Sequence, residues 1–495
     1  MNLLHQQLIA LLPLLIIGST VMVAVLCTAW KRNHFISFIL TIFGQILALA
    51  SLWFIVQNNP PSIDVTSLIR VDKYSLFYTG LILIASLIIS MQVYAWLDEY
   101  SGNRDEFYLL MLISLMGCIL LINTKHLITF FIGIELTSLP FFGMIGYIIQ
   151  QRSSLEASIK YMLLSSVSSA FLLFGIALVY VQTGQLSFSS FCEKIYDNST
   201  TYLTQPVLLV GLGLMIVSIG FKLSLVPFHL WTPDVYQGAP VLVSALLSTS
   251  SKIAIFTIVT RLFLSTVIMN SHSIQLTLIV IACASMLFGN LMAINQDNIK
   301  RIMGYSSVSH FGYLLVGLIT MQTNHIFSLE AIGICLIGYL FASLGIFTII
   351  NLKSNFYQNE KDSLYSYRGL FWHHPFLTFV LTIMFSSLAG IPMTLGFIGK
   401  CYILALGEKV KDHFFLLTSI IIISNTIGLF YYMRIIINMF LPLSKKTRYD
   451  NVSSSETLSD GLTKIVVVFS SSLLLLFGLY PTTLISLVRS VTLDS

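Results

Sequence analysis

Apolar runs of about 20 residues, the length a helix needs to cross a bilayer, recur from one end of this sequence to the other. Short polar, Gly- or Pro-containing stretches separate them. Cutting the chain at those interruptions predicts about fourteen spans: 8–28, 35–56, 75–95, 107–122, 127–149, 156–182, 206–230, 240–264, 274–294, 300–320, 327–351, 375–407, 413–441 and 462–485. The pattern is that of an all-α, polytopic integral membrane protein, and the even count puts both termini on one side. Two spans depart from a plain helix. The seventh holds Pro227 with His229 just beyond it, and the twelfth is overlong and interrupted by Gly390, Pro392, Gly396 and Gly399. Proline removes a backbone donor and glycine adds backbone freedom, so both are expected to be broken helices. Backbone broken at membrane depth is tolerated only against protein or a water-filled cavity.

Composition agrees: hydrophobic residues make up 56% of 495 positions and charged residues 9%, with a mean hydropathy of +0.87. The net charge of +5 is small for this length and forms no basic stripe, which excludes nucleic acid as an expected partner. Cys27, Cys118, Cys192, Cys283, Cys335 and Cys401 are scattered without CxxC spacing, which speaks against disulfides, zinc and iron–sulfur clusters. Of the 26 Lys and Arg, 13 fall in loops on the side of Lys31 and Arg32, 8 on the opposite side and 5 within spans. The positive-inside rule then places both termini outside. The first apolar run lacks a basic lead-in and a small-residue cleavage signal, so it is expected to be a retained span.

Four ionisable side chains lie deep inside apolar runs: Glu135 in LITFFIGIELTSLPFFGMIGY, Lys222 in VGLGLMIVSIGFKLSLVPF, Lys252 in VSALLSTSSKIAIFTIV and Lys400 in IPMTLGFIGKCYILAL. Each costs about 2.5 to 3.5 kcal/mol at a span centre on insertion scales, which makes a function in moving protons or ions the default. The competing explanation is a structural ion pair, with Glu135 and Lys222 as the obvious couple. One carboxylate does not match three lysines, so at least two lysines must be neutral, hydrated or paired elsewhere. Burial disfavours the charged form, which suits such a lysine to loading and releasing protons. His310 sits mid-span beside Ser306, Ser307 and Ser309, hydroxyls able to support a water chain. His229 either caps carbonyls freed by the break or handles protons. Lys160, four residues after Glu156, fits an exposed ion pair, and Arg434 fits a snorkelling structural role.

Helix order exposes a repeat. With spans four to eight and nine to thirteen as two five-helix units, Glu135 and His310 fall on second helices and Lys222 and Lys400 on fourth helices. The separations are similar, 87 and 90 residues. Five is odd, so the second unit enters the membrane from the other side, an inverted repeat with broken helices in equivalent places, as in ion-coupled transporters. The expected division is a three-helix region 1–106, a first unit 107–268, an inverted second unit 269–441 and a C-terminal helix region 442–495.

The stretch FKLSLVPFHLWTPDVYQGAPVLVSALLSTSSKIA, preceded by ITFFIGIELTSLP and followed by NIKRIMGYSSVSHFGYLL and AGIPMTLGFIGKCYIL, resembles the antiporter-like membrane subunits of respiratory NADH:quinone oxidoreductase, complex I. The resemblance covers essentially the whole chain. Lys400 within GIPMTLGFIGK resembles the subunit N type, where the subunit M type carries glutamate; Val241-Leu242 departs from the Thr-Pro more usual after GAP. The resemblance implies a proton-translocating subunit of a translocase in a bacterial cell membrane. Glu135 and Lys222 would be a coupling pair, Lys252 a central relay, His310 a bridge and Lys400 the exit-side carrier. It also implies that NADH, FMN, iron–sulfur clusters and quinone are handled by partner subunits, among other antiporter-like and small membrane subunits. A subunit of a multi-subunit cation/proton antiporter shares this core, and a structural membrane scaffold or a solute symporter are further alternatives.

Overall fold

Inside a bilayer the backbone has no water to bond to, so each apolar run closes its own hydrogen bonds as a helix. The computed structural model describes residues 2–57, 62–98, 100, 102–189, 205–265, 271–322, 324–354, 362–408, 414–442 and 458–492. Its helices are α1 (Asn2–Ala10), α2 (Leu12–Trp30), α3 (His34–Gln57), α4 (Lys73–Asp98), α5 (Asp105–Ile122), α6 (Leu127–Ile145), α7 (Arg152–Thr183), α8 (Pro206–Leu223), α9 (Trp231–Gly238) and α10 (Val241–Leu246). A π-helical turn, Leu247–Ser251, joins α10 to α11 (Lys252–Ser265). Then come α12 (His272–Ile294), α13 (Ile299–Ile319), α14 (His325–Lys353), α15 (Leu370–His373), α16 (Pro375–Ala389), α17 (Leu395–Gly407), α18 (Phe414–Phe440), α19 (Leu458–Leu479) and α20 (Pro481–Thr492). A hairpin of two residues per strand, β1 (Ile63–Asp64) antiparallel to β2 (Arg70–Val71), precedes α4.

Among the described residues, 12 helices are long and apolar enough to cross a membrane, or 13 with the bent pair at the C-terminal end. The expected twelfth span resolves into α16 and α17, of 15 and 13 residues, divided where the glycines and Pro392 fall. Two boundaries differ from the expectation. The last span ends at Leu479 rather than 485, because Pro481 starts a new helix that turns through 92° and lies across the end of the bundle. The seventh span ends at Leu223 rather than 230. Cys192 and the loop lysines Lys445 and Lys446 fall outside the described residues.

The two five-helix units pack alike. In each, the first helix lies against the second and the fifth (α5 on α6 and α11; α12 on α13 and α18). Small residues allow the close approach in both: a Cβ on Gly117 would come 2.7 Å from the Thr137 nitrogen, and one on Gly289 would come 2.8 Å from the Ser309 nitrogen. Lys300, which opens the tenth expected span and counts among the 13 loop cations, is instead fully buried, donating to the Ala239 carbonyl at 2.9 Å and pairing with Asp362 at 3.3 Å. Arg434 is held by Asp297 at 2.6 Å and the Ile294 carbonyl at 2.7 Å, a structural role.

Candidate functional site

The first break begins where α8 ends. Ser224 takes a left-handed conformation (φ 64°) and the Leu225 nitrogen bonds back to the Gly220 carbonyl at 2.7 Å, closing the helix. Trp231 of α9 turns back across the gap and donates from its indole nitrogen to the Phe221 carbonyl at 3.0 Å. Lys222 is thereby fixed in the last turn of α8, where a cation faces the negative end of the helix dipole. It is buried, and its Nζ donates to Ser165 Oγ on α7 at 2.7 Å.

The second break repeats the logic. α16 ends at Ala389, and Gly390 (φ 78°) and Met393 (φ 73°) carry the chain through left-handed backbone before α17 starts. Lys400 reaches back from α17 and donates to the Ala389 carbonyl at 2.9 Å, capping the half-helix before it, while Ser387 Oγ accepts from the Gly396 nitrogen at 3.2 Å.

Lys252 is positioned differently. Ser248 and Thr249 donate to the Ala245 carbonyl, at 2.9 and 2.6 Å, and Ser251 to the Leu247 carbonyl at 2.8 Å, in the π turn directly before it. Hydroxyls that bond back onto their own helix loosen its regular ladder, and π turns gather at functional sites. Lys252 is buried, donates to Ser307 Oγ at 2.8 Å, and lies 5.5 and 5.3 Å from the ring centres of Tyr236 and Phe311. It thus bridges the two units.

From Ser307 the polar line continues without a gap in sequence. Its neighbour Ser306 is hydrogen-bonded to the Tyr432 hydroxyl of α18, which also lies 3.4 Å from His310 Nε2. His310 and Lys400 line one cavity of about 30 Å³ together with Tyr313, Cys335, Tyr339 and Ser387. That is room for about one water molecule. His310 and Lys400 are therefore brought together, and Lys252 reaches the helix of His310, α13, at Ser307.

Glu135 is not brought to Lys222 in the same way. Among the described residues no ion pair joins them; Glu135 Oε1 is buried without a hydrogen-bond partner, and Lys222 is satisfied by Ser165. The expected direct couple is corrected to two neighbours whose charges interact at longer range. His229 is buried with Nδ1 unpartnered and its ring 6.5 Å from that of Tyr305. Lys160 pairs with Glu156 at 2.7 Å, as its spacing suggests, and also with Asp234 at 3.0 Å, which Arg301 holds from the other side at 2.9 Å. Sequence inspection missed Ser165, Tyr236, Asp234 and Tyr432 as members of the site. A serine cluster around Ser165 and the intact HLWTPD segment around Asp234 were visible signals; Tyr432, in an apolar run, offered none.

A family model described as NADH:quinone oxidoreductase/Mrp antiporter, transmembrane, matches residues 124–428, which include Glu135, Lys222, Lys252, His310 and Lys400. Among solved structures, a chain of respiratory complex I from Thermus thermophilus is 27% identical, with 96% of this chain and 98% of that one covered at a TM-score of 0.78. A chain of an archaeal respiratory membrane complex, the membrane-bound sulfane sulfur reductase, is 21% identical over 99% and 97% at 0.84. A chain of the Mrp complex from Dietzia sp. is 18% identical over 98% and 97% at 0.81. The last two likenesses speak for the fold alone. A helical membrane bundle with two equivalent breaks, matched to the family model over more than half its length, belongs to the NADH:quinone oxidoreductase/Mrp antiporter transmembrane family.

Proposed function

We propose that this chain is a proton-translocating membrane subunit of the subunit N type in an NADH:quinone oxidoreductase, coupling redox energy released in partner subunits to proton movement. One observation carries the proposal: all three mid-membrane lysines are held by neutral acceptors, Ser165, Ser307 and the Ala389 carbonyl. A charge that serves only to lock helices is expected opposite a carboxylate, as Arg261 is opposite Asp72 at 2.5 Å. A lysine held by a hydroxyl or a carbonyl gives up its proton without stranding a partner charge. That favours a relay over the structural scaffold.

In this scheme a proton taken up near Glu135 reaches Lys222. A change in the distance between the two alters how firmly Lys222 holds it, since opposite charges 4 Å apart interact by about 4 kcal/mol at an effective dielectric of 20. Lys252 receives the proton, and Ser307, Ser306, Tyr432 and His310 hand it to the cavity of Lys400. His229, buried beside the first break, serves the input half. The chain is organised as 1–106, 107–268, 269–441 and 442–495, a reading that the two breaks support. NADH, FMN, iron–sulfur clusters and quinone belong to partner subunits, and the chain resides in a bacterial cell membrane with both termini on the outer side.

Lys222→Ala tests the scheme in the purified assembly reconstituted into liposomes: subunit content stays normal and redox-driven proton translocation falls several-fold. Translocation at the unaltered rate in an assembled variant would overturn the relay. Co-purification without flavin and iron–sulfur subunits would instead favour the cation/proton antiporter.

A further inference from the structure

Helices α14 and α17 run antiparallel along the Lys400 cavity. A Cβ on Gly338 would meet Leu395 at 3.5 Å, one on Gly399 would meet Cys335 Sγ at 2.8 Å, and Phe327 stacks on Tyr402 at 4.9 Å. Moving from Gly338 towards Phe327 therefore climbs from the cavity to the end of the bundle where α20 lies. Five residues beyond Cys335, about 7.5 Å along the helix axis, α14 carries a carboxylate that the path above does not use. Glu330 is 1% exposed. Arg489 of α20 grips both its oxygens, Nε to Oε1 at 2.6 Å and Nη2 to Oε2 at 3.4 Å, and Tyr402 lies within electrostatic reach of the pair.

The asymmetry of this pair sets it apart. In Arg261–Asp72 both members are largely buried, whereas Arg489 is 56% exposed over a carboxylate that is not. Its helix follows the 92° turn at Tyr480 and is seated by Val488, which would lie 2.7 Å from a Cβ on Gly333. A buried carboxylate is thus covered by a guanidinium that is itself half-exposed at the protein's surface.

We infer that Glu330 is the outlet group of the Lys400 half of the path, with Arg489 as its gate. The inference rests on the proton-path proposal above. Along water admitted to the Lys400 cavity, an N–H bond of the Lys400 ammonium breaks, leaving a neutral amine, and at the far end of that water an O–H bond forms on Glu330, leaving a neutral acid. Arg489, its counter-charge gone, turns to water; Glu330 then releases the proton to the aqueous phase and Arg489 returns.

The test uses the assembled complex in liposomes, with Lys400→Ala alongside. Glu330→Gln is expected to assemble and to lower redox-driven proton translocation roughly tenfold, with Glu330→Asp restoring most of it. Arg489→Gln is expected to raise the passive proton leak of the same liposomes. Should Glu330→Gln fail to assemble, the double variant Glu330→Gln with Arg489→Gln replaces the ion pair by a neutral pair of similar shape and is read the same way. If Lys400→Ala loses translocation while an assembled Glu330→Gln pumps at the unaltered rate, the outlet is wrong and the path stands. If Lys400→Ala also pumps normally, the path itself is wrong. Failure of both Glu330 variants to assemble marks the pair as a structural anchor and overturns the outlet, and an unchanged leak in Arg489→Gln overturns the gate.

Discussion

Asp234 gathers Lys160 of α7 and Arg301 of α13 onto α9, tying the first break to the second unit. Partial burial pushes its carboxyl up, but the hydrogen bonds from Lys160 and Arg301 outweigh this and hold it below its ordinary value of 3.8. A carboxyl depressed on folding contributes stability that is complete above the unfolded value and is lost as pH falls through the folded one. Thermal unfolding of the detergent-solubilised protein across the acid range is therefore expected to show a steeper fall for the unaltered chain than for Asp234→Asn; parallel curves would count against this role. The sequence displayed each member, and the Glu156–Lys160 spacing predicted one pair correctly. It could not display the convergence, because Lys160 and Arg301 lie 74 and 67 residues from Asp234 and only the folded helices bring them together. The same holds for Lys300, whose position just inside a span reads as a loop cation until Asp362 and the Ala239 carbonyl are seen around it.

At the scale of elements, proline and glycine located both breaks, since their effect on the backbone is local. How far the preceding helix runs was less legible: α8 stops at Leu223 because Ser224 turns left-handed and a tryptophan eight residues beyond Leu223 satisfies the freed carbonyl of Phe221. The π turn was not read at all, although the serines and threonine that build it stand directly before Lys252. The second break depends on one tight contact. A Cβ on Gly396 would lie 1.8 Å from the Ser387 carbonyl oxygen, while a Cβ on Gly213 would meet nothing within 4 Å. Overpacking in a well-packed site costs about 1–3 kcal/mol or more, so Gly396→Ala is expected to reduce the yield of assembled complex on native gels and Gly213→Ala to leave it unchanged. Equal yields would show that the turn between α16 and α17 gives way easily.

Over the whole molecule, the proposed stations would act in series, and series has a kinetic signature. Removing two groups that act as one unit costs about as much as removing the more important one alone. The double variant Lys222→Ala with Lys400→Ala is thus expected to translocate protons no more slowly than the worse single variant, whereas multiplied losses would point to two independent routes. Helix number, the paired breaks and the mid-membrane charges were all legible from hydrophobicity and spacing, because a bilayer punishes every exception to them. Which way those side chains face was not, since azimuth is set by side-chain directions that span lengths do not record. The π turn at Leu247–Ser251 fixes that azimuth for Lys252. A π turn holds one residue more than an α turn between the same ends, and one residue of α-helix is about 100° of rotation. Wound as plain α-helix with the same residues, the span would turn its lysine by about that angle towards another neighbour: here the count of residues per turn, as much as their chemistry, decides which way Lys252 faces.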